Sequence, residues 1–175
     1  MKGAGESGHL DMTTTEFPRV TVPDLPIEGG CQCGGLRYRI TDAPVTYYVC
    51  HCKMCQKQSG SAFGSSLQVP AQAVELMGPF ATHAHTGGSG RMAHHIFCPS
   101  CGGRVTHQIR GGEVIVVKPG TLDDTSWLKP AGHIFTATRQ PWVVLPEAGA
   151  LLFEDYPDMQ ALRERWRQMT EAAEP

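Results

Sequence analysis

The residues in this chain best suited to chemistry are its cysteines. There are seven among 175 residues, and all lie in three tight clusters. The first is Cys31-Gln32-Cys33, set inside Gly29-Gly30-Cys31-Gln32-Cys33-Gly34-Gly35. The second is Cys50-His51-Cys52-Lys53-Met54-Cys55, and the third is Cys98-Pro99-Ser100-Cys101-Gly102-Gly103. Two thiolates presented from one short turn can share a tetrahedral zinc ion, with bonds of about 2.3 Å to sulfur. Glycines just after such a pair let the backbone adopt positive φ and turn its N–H groups towards the sulfurs. Buried free thiols would not cluster in this way. A redox Cys-x-x-Cys would need a thioredoxin-like βαβ context, which the sequence lacks.

The ligand arithmetic allows two partitions. Cys31 and Cys33 can join Cys98 and Cys101 in a closed four-sulfur site. That leaves Cys50, Cys52 and Cys55 on one short loop, where three protein ligands and an open position form the pattern of a reactive zinc. This partition uses every thiol. Alternatively, Cys52 and Cys55 pair with Cys98 and Cys101 as in a zinc ribbon, and Cys31, Cys33 and Cys50 are left over. His51 sits between two candidate ligands, where its own coordination would strain the loop, so it is expected to point away or to hydrogen-bond nearby. His94, His95, His107 and His133 are candidate proton carriers, with a structural or surface role as the plainer reading. Lys53, Lys57, Arg104 and Arg139 could meet the carboxylates of a peptide thiol, against a plainer reading as solvated charges.

The elements that must position these groups read as short strands. The chain has 20 glycines and 13 prolines, well above the combined average of roughly 12%, which implies many tight turns. Leu36–Ile40, Thr46–Val49, Ala62–Leu67, His94–Phe97, Val114–Val117 and Trp142–Leu145 are β-prone or alternating stretches bounded by turn residues. A helix is expected from about Met159 to Thr170, with Asp158 as N-cap and Leu162, Trp166 and Met169 forming its apolar stripe. Residues 1–25 read as a flexible leader, and residues 26–175 as a single mainly β domain. Fifteen basic against seventeen acidic side chains leave a net charge of −2, which gives no drive towards nucleic acid or anionic lipid. The sequence contains no apolar run near the ~18 residues of a membrane span. With no apolar signal-peptide core, a cytoplasmic protein is expected.

These segments resemble the glutathione-dependent formaldehyde-activating enzyme (GFA-like) family, which also includes centromere protein V. The resemblance rests on Gly30-Cys31-Gln32-Cys33-Gly34, on Cys50-His51-Cys52-Lys53-Met54-Cys55-Gln56-Lys57-Gln58-Ser59-Gly60, and on Phe97-Cys98-Pro99-Ser100-Cys101-Gly102. Gly120-Thr121-Leu122-Asp123-Asp124 and Pro130-Ala131-Gly132-His133-Ile134-Phe135 support it, so that it spans about residues 27–145. It implies an Mss4-like fold of small antiparallel sheets tied by zinc. It also implies two zinc ions per chain: a structural one on Cys31, Cys33, Cys98 and Cys101, and a reactive one on Cys50, Cys52 and Cys55. The activity implied is that of a carbon–sulfur lyase, forming or cleaving S-hydroxymethylglutathione from glutathione and formaldehyde. A thiolate-rich zinc is a soft, weak Lewis acid, suited to a further sulfur rather than to making hydroxide. The alternative expectation is a non-catalytic zinc-binding module that recognises a protein. A zinc-ribbon nucleic-acid binder is a weaker third reading, disfavoured by the net charge.

Overall fold

A computed structural model describes residues 17–87, 90–146 and 149–171. Its elements, in chain order, are β1 (Ile27–Gly30), β2 (Arg37–Ile40), β3 (Thr46–Cys50), α1 (Lys53–Ser59), β4 (Gly64–Pro70), β5 (Val74–Met77) and β6 (Ala81–Thr86). Then come β7 (Met92–Phe97), β8 (Arg104–Ile109), β9 (Val114–Val117), β10 (Gly132–Ile134), β11 (Leu151–Leu152) and α2 (Met159–Thr170). The protein is mainly β, with a C-terminal helix, as the sequence predicts. One sheet has the order β1-β2-β5 and the other β11-β10-β3-β4-β9-β8-β7-β6. Pairing is antiparallel except at one end of the larger sheet, where β10 runs parallel to both β3 and β11.

The C-terminal helix forms where the residues dictate. The Asp158 carboxylate accepts hydrogen bonds from the N–H groups of Gln160 and Ala161 and so caps α2. Leu162, Trp166 and Met169 are buried along one face. That face packs on β3, where Trp166 meets Tyr47 edge-on at 6.4 Å between ring centroids. The indole Nε1–H donates to the carbonyl of Pro44 at 3.0 Å, so the ring buries its apolar body without stranding its donor. In the smaller sheet, Tyr38 is fully buried and its hydroxyl meets Thr121 Oγ1 at 2.8 Å. Gly29 lies so close to that ring that a Cβ would overlap it, so this position accepts only glycine.

Three expectations change. Residues 17–25, the end of the expected leader, pack against α2: Val20 is buried and its N–H donates to the Met169 carbonyl at 2.9 Å. The Arg165 guanidinium stacks over the Phe17 ring at 4.1 Å. Residues 1–16 lie outside the described residues. Trp142–Leu145 is no strand, because Pro141 and Pro146 flank it and remove ladder donors. Trp142 and Val144 are exposed there, at 70% and 90%. Finally, β1, β5, β6, β8, β10 and β11 were not predicted: Ala81–Thr86 and Arg104–Ile109 are too polar to show a hydrophobic period, and the other four are only two to four residues long.

Candidate metal centres

The folded chain gathers the cysteines into two groups. In each, all sulfurs lie within 4.8 Å of one another. Cys31, Cys33, Cys98 and Cys101 form one group, and Cys50, Cys52 and Cys55 the other. The ribbon-like alternative is therefore not the arrangement the fold adopts.

The four-cysteine group joins two hairpin turns, one from each sheet. Cys31 and Cys33 lie in the β1–β2 connection, and Cys98 and Cys101 in the β7–β8 connection. Gly34 and Gly102 take φ of 77° and 70°, which permits both turns. Their N–H groups donate to the carbonyls of Cys31 and Cys98. Sulfur separations are 3.5 Å for Cys31–Cys33 and 3.7 Å for Cys33–Cys98. A tetrahedral zinc with bonds of about 2.3 Å has sulfur–sulfur edges of about 3.8 Å, so these two separations are those of a tetrahedral site and the four residues fit the ion. The Leu36 N–H donates to Cys31 Sγ at 3.2 Å, and that bond chiefly pulls the Cys31 thiol down to about 6. Cys31 is thus prepared to lose its proton to a metal, whereas at Cys33 a backbone hydrogen bond from Gly35 is outweighed by the neighbouring Cys31, Cys101 and Cys98 thiols, which push it up to about 11.

The three-cysteine group is built locally. Cys50 ends β3, Cys52 is the N-cap of α1, and Cys55 lies in the first turn of α1. Cys52 Sγ accepts a hydrogen bond from the Cys55 N–H at 3.4 Å. Contacts from the Cys50 and Cys55 thiols, and then from backbone N–H groups, hold the Cys52 thiol below its ordinary range. The same contact with Cys52 drives Cys50 up. Gly64 lets β4 approach, since a Cβ there would sit 3.1 Å from Cys55 Cβ. The Gln56 side chain donates to the carbonyls of His51 at 2.6 Å and Thr138 at 2.9 Å, tying the loop to the turn after β10. Three sulfurs and no fourth cysteine, histidine or carboxylate in the group, among the described residues, suit a soft divalent ion that keeps a position for another ligand.

His51 turns away from the sulfurs and is fully buried, with Nε2 at 3.0 Å from His133 Nδ1 of β10. Burial, then the charge of Arg139, lowers the His51 pKa; burial, then His51, brings His133 to about 4. Both rings are therefore neutral at pH 7. His95 and His107 are also among the sheet residues, whereas His94 is exposed. Lys53, Lys57 and Arg139 are exposed, and Arg104 is half-buried. Lys57 lines an open cleft of about 540 Å³ beside α1, with Gln56, Gly60, Ser61, Ala62, Gln140 and Trp142. Sequence reasoning missed Lys118, whose Nζ donates to the Ser65 carbonyl at 2.9 Å. Burial, then Arg104, lowers its pKa to about 8, while Cys55 and Cys50 pull it back up. The available signal was a lysine placed two residues after Val116 at the end of a buried strand.

The sequence profile of the glutathione-dependent formaldehyde-activating enzyme family matches residues 26–138. That is more than half of the chain, and the chain belongs to this family. A crystallised Rhodobacter sphaeroides protein aligns with a TM-score of 0.45 and 20% identity, covering 59% of this chain and 92% of that one. No curated protein matches the chain. No described helix is long and apolar enough to cross a membrane.

Proposed function

We propose that the protein is a zinc-dependent carbon–sulfur lyase of the family's type, which forms or cleaves the adduct of a thiol with a small aldehyde. Glutathione and formaldehyde are the pair the family suggests. The observation that carries this reading is the convergence of Cys50, Cys52 and Cys55 as a group of three rather than four. When bound there, zinc would stabilise a substrate thiolate at neutral pH and leave one position for its sulfur. Cys50 is held by the end of β3, and Cys52 and Cys55 by the start of α1, so the three sulfurs stay fixed relative to the sheet. Gln56 and Thr138, both hydrogen-bonded to the His51 carbonyl, keep the loop from opening. The neutral His51–His133 pair can carry a proton at Nε2 or Nδ1 without placing a cation against the loop. Cys31, Cys33, Cys98 and Cys101 would hold a second, structural zinc. Reduced thiols in both groups accord with a cytoplasmic location.

The decisive measurement is NMR exchange between free formaldehyde and its glutathione adduct, with and without protein. Acceleration above the uncatalysed rate, lost in Cys52→Ser, is expected. Absence of acceleration by the wild-type protein with any thiol would transfer the reading to a non-catalytic zinc module that binds a protein. The exposed Trp142 and Val144 are the observation favouring that second reading.

A further inference from the structure

One face of the larger sheet is polar from the three-cysteine group outward. Tyr48 of β3 pairs with Ser66 of β4, and Gln68 pairs with Val116 of β9. Val116 pairs with His107 of β8, His107 with His95 of β7, and His95 with His83 of β6. Directly paired residues share a face, and residues two apart on a strand point the same way. Cys50, Tyr48, Ser66, Gln68, Lys118, His107, His95 and His83 therefore line one surface. The His95 ring stacks between His85 at 4.6 Å and His107 at 5.3 Å.

This surface has two unusual features. Its cations are unmatched: among the described residues, neither Lys118 nor Arg104 has a carboxylate within ion-pair distance, and the ion pairs all lie elsewhere. Its polar atoms are also unmatched. Gln68 and His95 are 7% and 5% exposed, yet Gln68 Oε1 and His95 Nε2 have no hydrogen-bond partner among the described residues, and neither has His107 Nδ1. Arg104 fixes the proton on His95. Its NH1 lies 2.9 Å from His95 Nδ1 and can only donate, so Nδ1 accepts and Nε2 carries hydrogen. A buried donor left without an acceptor is costly, so the fold keeps it there at a penalty that a ligand would relieve.

The charge balance shows what would complete the surface. Three thiolates around a divalent cation carry one negative charge, and Lys118 and Arg104 carry two positive ones. Their field reaches the sulfurs: Cys55 and Cys50 act on Lys118, and Cys55 acts on Arg104. The left-over positive charge matches an incoming thiolate, and the buried His95 N–H that lacks an acceptor is left for a further anionic group.

We propose that Lys118, Arg104 and His95 Nε2–H form a carboxylate-binding subsite beside Cys50, Cys52 and Cys55, selecting thiols that carry an anionic group. The subsite deepens the proposed function and rests on it, because the carboxylate belongs to the thiol whose sulfur goes to the three-cysteine group. Lys118 and Arg104 determine specificity, while His95 supplies the neutral donor that Arg104 orients.

The test uses the full chain loaded with cobalt(II), whose sulfur-to-metal charge-transfer band reports a further thiolate. Titrations with 3-mercaptopropionate and 2-mercaptoethanol compare thiols with and without a carboxylate. The wild-type protein is expected to bind mercaptopropionate at least tenfold more tightly. Acetate should compete with mercaptopropionate and not with mercaptoethanol, which separates a subsite for any small carboxylate from general screening by salt. Lys118→Met and Arg104→Met should each remove most of the preference, and Arg104→Lys should restore part of it. Equal affinity of the wild-type protein for the two thiols overturns the subsite, leaves the proposed function standing, and needs no variant to fold. Equal weakening of both thiols in the variants also overturns it, since that is the signature of a diffuse field. A cobalt band that responds to neither thiol sinks the proposed function and the subsite together.

Discussion

The two cysteine groups use the same atoms in opposite ways. Cys31 and Cys33 meet Cys98 and Cys101 across 65 or more residues, so the four-sulfur group ties the smaller sheet to the larger one. Cys50, Cys52 and Cys55 come from six consecutive residues and tie nothing distant. The first group has Gly34 and Gly102 at its turns and a backbone N–H on Cys31. The second has a polar sheet face beside it, with two cations that have no carboxylate partner among the described residues. A long closed loop contributes stability, whereas a short loop with an unfilled ligand shell contributes reactivity. On the proposed function, those tasks are separated by sequence distance.

The largest expected effect comes from breaking the long closure. Cys98→Ser, or the same change at Cys31, Cys33 or Cys101, should unfold the domain and release the metal of that group. Structural zinc in small domains contributes on the order of 10 kcal/mol of apparent free energy. Thermal melting with metal analysis checks this, and a variant that melts like wild type with full zinc content would refute the structural role.

The contrasting change is Cys52→Ser. It should release roughly one zinc per chain, keep most of the melting temperature and bring adduct exchange down to the uncatalysed rate. If it instead removes both metals and unfolds the chain, the division of labour between the groups is wrong.

Core packing should be separable from both. Leu162→Ala removes a fully buried side chain from α2 and should cost about 2–5 kcal/mol in urea unfolding. Zinc content of the folded protein should remain that of wild type, because α2 supplies no sulfur.

The smallest effect distinguishes the polar face by pH. Burial, then Lys118 and Arg104, brings the His107 pKa to about 2, against about 6.5 in an unfolded chain. Between these values the unfolded chain binds a proton that the folded chain does not, so this contribution to stability falls as pH drops below 6.5. Lowering pH from 7 to 5.5 should therefore cost wild type about 1 kcal/mol more than it costs His107→Gln. Urea titrations at the two pH values read the difference, and identical pH dependence in the two proteins would mean that His107 is solvated.

Much of this arrangement was legible in the residues. The spacing of the cysteines predicted metal ligation, and the 3.6-residue stripe of Leu162, Trp166 and Met169 predicted α2 with its Asp158 cap. Strands β2, β3, β4, β7 and β9 showed in apolar or alternating stretches. Pro141 and Pro146 should have warned against a strand at Trp142–Leu145. The packing of Val20 against Met169 could not be read, because Phe17, Val20 and Val22 are interrupted by Pro18 and Pro23 and sustain no period.

The local chelates follow from the residues alone: Cys-x-Cys, Cys-x-x-Cys and the following glycines act within one turn, where chain geometry leaves few choices. The sequence also implied, through family resemblance, which distant cysteines meet. The fold, and not any local pattern, puts His83, His95 and His107 in one row with Gln68, and Lys118 and Arg104 within electrostatic reach of Cys55. Those neighbours are set by strand register across β4, β9, β8, β7 and β6. A one-residue slip in that register would send the same side chains to the opposite face, and no local pattern in the polar strands β6 and β8 specifies it.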